Sequence, residues 1–282
     1  MAVISKTPTP ANVWQGQVDV YIGLTAPGSH NPPGQADEVA LDASGQPAST
    51  QGAVTGASNA TPIVLTLAFT TGYAVGDIVT VAGVGGNTNA NGIWVISALD
   101  ATHLTLAGSA GNGAWTSGGT VTQGAHLGIV EGPTTVTLTP KVDDIGSDNF
   151  EGPHDAALQS IAVEVDTVLK EVDLYKLLAM SSNMNWGNFA ALPAAGAYTT
   201  LGMQFGGAQS SSMNLHSLMF VAPNRAAAGK WIYVYLFKAY QDAAIQITFE
   251  RSKANLWKVK FLGVADVTRL VGDELCHVVK TK

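Results

Sequence analysis

Four carboxylates close together, Asp143, Asp144, Asp148 and Glu151, form the densest group of chemically competent side chains in this sequence. Such a cluster has two candidate chemistries. One is coordination of a hard cation such as calcium, which takes about six to eight oxygen ligands. The other is the paired acid and base of a glycoside hydrolase. The order of residues lacks the Asp-x-Asp-x-Asp-Gly spacing of a calcium loop, and no positioned aromatic platform or adjacent nucleophile supports a glycosidase. With Gly146 and Gly152 interleaved, the segment reads first as an acidic turn at 143–146 followed by a loop at 151–155.

The remaining reactive residues are scattered. His30, His103, His126, His154, His216 and His277 form no His-x-x-x-His or His-Glu pair, and a zinc site needs three or four convergent ligands. Gly83-Val84-Gly85-Gly86 follows a strand-like run, but no Lys-Ser/Thr completes a phosphate loop. No Gly-x-Ser-x-Gly elbow presents a nucleophile. Cys276 is the single cysteine, so no intrachain disulfide is possible. Asn59-Ala60-Thr61 matches a glycosylation acceptor but has no secretory signal to give it weight. Arg251, Lys253, Lys258 and Lys260 flank Trp257 as a possible nucleic-acid stripe, although alternation more simply makes the lysines the solvent face of a strand. The expectation is a protein that is not an enzyme and carries no metal or cofactor.

The composition points to a framework of strands and turns. Of 282 residues 46% are hydrophobic, enough for a substantial core, and only 12% are charged, against a usual value of about 25%. Met1 to Trp14 contains no apolar run of signal-peptide length. The most apolar windows, Leu215 to Ala222 and Trp231 to Phe237, fall far short of the roughly 20 residues that cross a bilayer, so no membrane span is expected. The net charge of −7 is unevenly spread, with 16 acidic and 3 basic side chains up to position 173, then 5 acidic and 11 basic. That asymmetry fits two solvated surfaces of opposite sign, or opposite poles that meet when copies associate head to tail.

Hydrophobic periodicity places the elements. An extended arm containing Thr7, Pro8, Thr9 and Pro10 precedes a strand over Gln17 to Leu24, a Pro/Gly loop and a short strand near Val39 to Leu41; the chain is then small and polar from Ala43 to Ser58. Between Val54 and Gln123 the only charged residues are Asp77 and Asp100. There, strand-like runs recur at 62–67, 77–81, 92–96, 102–106 and 119–122, spacing expected of a small β-sandwich or barrel. Next come strands at 127–131 and 134–140, the acidic turn, the alternating run Ile161 to Asp166 and a helix over Glu171 to Met180. The helix is too short to stand alone in water and must pack on a sheet. A connector over 181–212 leads to strands at 215–221, 231–237, 244–249 and 255–261, the last with Trp257, Val259 and Phe261 on one face.

The order from Leu127 to Met180, together with Ile247-Thr248-Phe249-Glu250 leading to Leu262-Gly263-Val264-Ala265-Asp266, resembles the core of phage tail tube (major tail) proteins. The resemblance spans Gln17 to Ala48 and His126 to Asp266. The turn pattern of Thr61-Pro62-Ile63-Val64, Asn89 to Trp94 and Gly111 to Gly119 is similar to a small β-module that is often inserted in phage tail proteins.

The resemblance implies a mainly β fold: two packed antiparallel sheets, a tail-tube β-sandwich or barrel, with one short flanking helix, in a discontinuous core domain (1–53 and 124–282). An all-β domain at 54–123 would project outward. It further implies homohexameric rings stacked into a tube within the virion tail, made in the bacterial host cytoplasm. The lumen would conduct viral DNA without specific binding, and the tube would meet tape-measure, tail-terminator and baseplate or tip proteins. Asp143, Asp144, Asp148 and Glu151 would then line a subunit interface or the lumen, and Thr7 to Pro10 an inter-ring arm.

Three other readings stand beside it. One is a carbohydrate-binding or adhesion module of a tail tip or cell surface; within the leading expectation, the 54–123 domain would decorate the tail exterior and attach weakly to host glycans through Trp94 or Trp115, although a buried core explains both more simply. A polysaccharide hydrolase would need a carboxylate pair in a cleft. A bacterial contractile-secretion tube is a close cousin of the leading expectation.

Overall fold

The computed structural model describes residues 17–25, 39–145, 155–170, 174–181, 187–189, 203–205, 215–224, 228–242, 246–248 and 256–281. The fold is mainly β and antiparallel, with one closed six-strand barrel and one larger sheet. After β1 (Asp19–Ile22), the barrel is built from β2 (Gln51–Ala57), β3 (Val64–Leu67), β4 (Ile78–Ala82), β5 (Gly92–Leu99), β6 (His103–Leu106) and β7 (Thr120–Gln123). These close in the order β2-β3-β6-β5-β4-β7. Alternation sends Leu65, Leu67, Val79, Trp94, Leu104 and Val121 into the barrel's own core, each such side chain contributing about 1.5–3 kcal/mol. Closure also leaves the barrel no free sheet edge.

One barrel strand carries almost no hydrophobic signal. In β2, Gly52 and Val54 point inward between the exposed Gln51, Ala53 and Thr55, so the pattern of two glycines and one valine reads as a polar linker. Gly52 is there for space: a Cβ at this position would run into the Leu67 side chain. Replacing Gly52 with Val is expected to cost about 1–3 kcal/mol through overpacking, measured by urea unfolding; an unchanged midpoint would contradict this packing.

The larger sheet starts again at β8 (Ala125–Ile129), β9 (Thr135–Ile145) and β10 (Asp155–Leu169). Helix α1 (Leu174–Ser181) and the hairpin of β11 (Gly187–Phe189) and β12 (Met203–Phe205) follow. The chain ends through β13 (His216–Pro223), β14 (Trp231–Gln241), β15 (Gln246–Thr248), β16 (Leu256–Val264) and β17 (Cys276–Lys280). The strand order is β8-β1-β13-β14-β16-β10-β9, with β15 on β16 and β17 on β14. The sheet curls until its β8 end reaches β10, one strand in from the β9 edge: Val130 bridges Leu169, and Lys170 N–H donates to the Ile129 carbonyl at 3.0 Å.

The two faces of β14 divide the packing. Val234 and Leu236 look into the curl with Phe220, Val163, Val165 and Phe261, and Ile232, on the same face of β14, lines an apolar recess with Val234 and Phe220. Tyr233, Tyr235 and Phe237 pack on the other face with Leu24, Met219 and Val221, under Val39, Leu41 and Trp231. α1 lies on β5, and Ile78 and Ile93 of the barrel join the sheet's core. The Thr80 hydroxyl donates to the Gly124 carbonyl at 2.8 Å, tying the barrel to the start of β8.

His216 is buried where β13 begins, and burial pushes its pKa down to about 4. Unfolding frees it to titrate near the ordinary value of about 6.5, so the unfolded chain binds the extra proton between these values. Stability is then lost as pH falls from about 6.5, reaching on the order of 3 kcal/mol by pH 4. Thermal melts from pH 7.5 to 5 should show this decline in the wild type and much less of it in His216→Gln; parallel curves would contradict the assignment.

Candidate functional site

The acidic turn expected at Asp143-Asp144-Ile145-Gly146 is not where the chain turns. Asp143, Asp144 and Ile145 are the last residues of β9 and pair with Ala157, Ala156 and Asp155 of β10. Pro140, which suggests a strand end, is tolerated because β9 is the edge strand of the sheet. Asp143 is exposed, and its carboxylate accepts a hydrogen bond from the Gln159 amide across the hairpin. Asp148, Glu151 and the arm residues Thr7, Pro8, Thr9 and Pro10 lie outside the described residues. Among the described residues, no three His, Cys, Asp or Glu side chains converge as metal ligands would.

The pairing of β9 with β10 instead builds an amphipathic ribbon. Cross-strand partners share a face, so the register Val136–Val165, Leu138–Val163, Pro140–Ile161 and Val142–Leu158 aligns one apolar row. Val163 and Val165 bury this row in the core, but farther along it runs into solvent: Leu138 is 52% exposed and Leu158 59%. The opposite face carries Thr137, Thr139, Lys141 and Glu164, with Glu164 paired to Lys260 at 3.0 Å. An irregularity at Gln159 makes the row possible. It adds one residue between the Leu158 and Ser160 pairings and so keeps Leu158 on the same face as Ile161.

Among the described residues, the ribbon is also unpaired at its margins. β16 covers β10 only from Val163 to Leu169, so among the described residues the stretch from Asp155 to Ala162 has no second strand. β9 ends the sheet, and β17 pairs only with β14. Beside the ribbon opens an apolar trough of about 600 Å³, lined by Val18, Pro133, Val136, Leu138, Phe220 and Val278 among others. The trough passes into the apolar row at Leu138. Free backbone groups next to exposed aliphatic side chains template association with another chain.

On the other face of the sheet, a buried ionic cluster holds the loop after β16. Asp273 accepts from Arg269 Nη2 at 2.9 Å and pairs with His277 Nε2, while Arg269 Nε donates to the Asp273 carbonyl at 2.8 Å. The guanidinium lies 3.6 Å from the centroid of the Phe237 ring. Burial opposes ionisation of Asp273, but hydrogen bonds and charge from His277 and Arg269 outweigh it and hold the carboxyl below the ordinary range. Asp266 accepts from Lys238 at 2.9 Å and from the Thr268 hydroxyl at 2.7 Å, and its carboxyl is also held low against the effect of burial. The turn chemistry of 266–273 was not legible as a unit, because an Asp and an Arg spaced among small residues look like solvated surface.

The other chemical candidates have structural surroundings. Trp94 is fully buried, its indole N–H donating to the Ala90 carbonyl at 2.8 Å, so it offers no platform to a sugar. Trp115 is half-buried against the barrel core and donates to the Gly118 carbonyl at 3.0 Å. Cys276 is half-buried, and burial pushes its thiol pKa up, away from thiolate chemistry. Gly83 to Gly86 form a turn in which the Gly85 N–H donates to the Ser117 carbonyl at 2.8 Å. No helix among the described residues is long and apolar enough to cross a membrane. Compared with family models and with curated proteins, the chain matches none.

Proposed function

We propose that this chain is a structural subunit of a phage tail tube, which assembles into stacked hexameric rings around a lumen that conducts DNA. The observation that carries this reading is the β9–β10 ribbon, an exposed apolar row on a two-stranded arm whose edges, among the described residues, lack strand partners. A monomer keeping such an arm in water is prone to uncontrolled pairing, and a closed ring of copies covers the arm. The net charge of −7 per copy suits a conduit that must not hold DNA, since phosphate binding depends on basic side chains. In this reading the barrel decorates the outside of the tube, and tape-measure, terminator and tip proteins meet its ends.

Sedimentation velocity over a concentration series tests the reading. Growth from monomer to hexamer and larger species is expected; a monomer at every concentration would overturn it.

A further inference from the structure

Asparagine side chains tie together the loops of the barrel. Asn87, fully buried, donates from Nδ2 to the Ser58 carbonyl at 2.8 Å and accepts at Oδ1 from the Asn112 N–H at 3.1 Å. Asn89 donates to the Ala110 carbonyl at 3.0 Å. Asn91 grips Val84, accepting from its N–H at 2.9 Å and donating to its carbonyl at 3.0 Å. Two residues of this knot precede glycine, in Asn91-Gly92 and Asn112-Gly113. In such a pair the glycine nitrogen can close on the asparagine side-chain carbonyl carbon, because no Cβ restricts the backbone.

The fold treats the two pairs differently. Gly92 opens β5, and its N–H is committed to the ladder. The Ile96 N–H donates to the Asp77 carbonyl at 2.9 Å, and hydrogen-bonded pairs recur at every second residue of an antiparallel ladder, so the register carries the pattern through Val79–Trp94 to Val81–Gly92. The Asn91 amide is also held by the Thr88 carbonyl at 3.1 Å. At the other pair, the Gly113 N–H has no acceptor among the described residues. The Asn112 Oδ1 accepts from the Asn89 N–H at 3.1 Å, while Nδ2 donates to the Thr88 hydroxyl at 2.8 Å. The first of these bonds draws charge from the carbonyl carbon and stays in place as the oxygen becomes anionic, as an oxyanion-hole donor does. Asn112 is half-buried, so water reaches it.

We propose that Asn112 is a site of spontaneous deamidation through Gly113. The Gly113 nitrogen gives its proton to hydroxide and bonds to Asn112 Cγ; the Cγ–Nδ2 bond breaks, and Nδ2 takes a proton from water and leaves as ammonia. Water then opens the resulting succinimide at either carbonyl, leaving aspartate or isoaspartate at position 112. A carboxylate there no longer donates to Thr88. Isoaspartate also lengthens the main chain where Gly113 has little room, since a Cβ on Gly113 would lie 2.9 Å from the Gly86 carbonyl oxygen. The knot loosens as the protein ages, and a stretch whose only charges between Val54 and Gln123 are Asp77 and Asp100 gains a negative one. This inference is independent of the assembly reading.

Mass spectrometry of chymotryptic peptides tests it, after the full chain has been held at mildly alkaline pH in oxygen-labelled water so that conversion during digestion is told apart. In the folded protein, position 112 should take up label at least about tenfold faster than position 91, the factor that one backbone hydrogen bond is worth. In urea, where both Asn-Gly pairs are free, the two rates should converge. Equal rates at the two positions in the folded protein, or conversion of Asn112 only after unfolding, would overturn the proposal.

Discussion

Replacing Asp273 with Asn is expected to destabilise the protein by about 3–5 kcal/mol, the usual cost of removing one partner from a buried ion pair. Asp273 and Arg269 are both almost fully buried, so the substitution takes a charged partner away from a guanidinium that is desolvated against Phe237. His277, also buried, loses the carboxylate that orients its ring. Because the folded carboxyls of Asp273 and Asp266 are held below the ordinary carboxylate range, their contribution is complete above the unfolded value of about 3.9 and is lost as pH falls through the lower folded values. This acid loss follows the earlier decline from His216, and only the later step should shrink in Asp273→Asn. The comparison is Glu131→Gln, which breaks the half-exposed Lys170–Glu131 pair of 2.9 Å and should change stability by less than about 1 kcal/mol. Urea unfolding of both variants at pH 7 checks this; equal effects would contradict the assignment of Asp273 as the clamp of the loop.

Placing aspartates on the apolar row of the ribbon should have the largest effect on assembly. Leu158 and Ile161 are 59% and 42% exposed, so Leu158→Asp with Ile161→Asp removes little from the monomer's core and should shift its melting temperature by no more than a few degrees. In an assembly the same positions would be covered, and burying two unpaired carboxylates there is prohibitive. Self-association measured by sedimentation should fall by at least about 100-fold. Assembly that survives the double variant would show that the ribbon is not the joint between copies.

Most of the framework was legible from periodicity, and the failures have physical reasons. Five of the six barrel strands follow from alternation, because Leu, Ile and Val mark their inward positions. The sixth, β2, is hidden because its inward residues include Gly52, chosen for lack of volume and so invisible to a hydrophobic pattern. β9 continues past Pro140 because an edge strand need not donate from every residue. The amphipathic row on β10 could not be read past Ile161, since the irregularity at Gln159 reverses the parity that alternation relies on. β17 was missed because Cys276 to Lys280 is short and near the chain end, and only its register with Ile232 to Leu236 identifies it. Of the candidate site, the carboxylates drew attention first, whereas the proposed function rests on exposed apolar side chains of the ribbon. A single sequence does not distinguish an exposed leucine from a buried one.

The most direct test of the central claim, that copies of this chain build a hollow tube, is negative-stain electron microscopy of the purified protein alongside the Leu158→Asp, Ile161→Asp variant at matched concentrations. The account predicts rings or tubes with an open lumen and peripheral knobs for the wild type, and dispersed single particles for the variant. Dispersed particles in both samples, or solid aggregates without a lumen in the wild type, would contradict it.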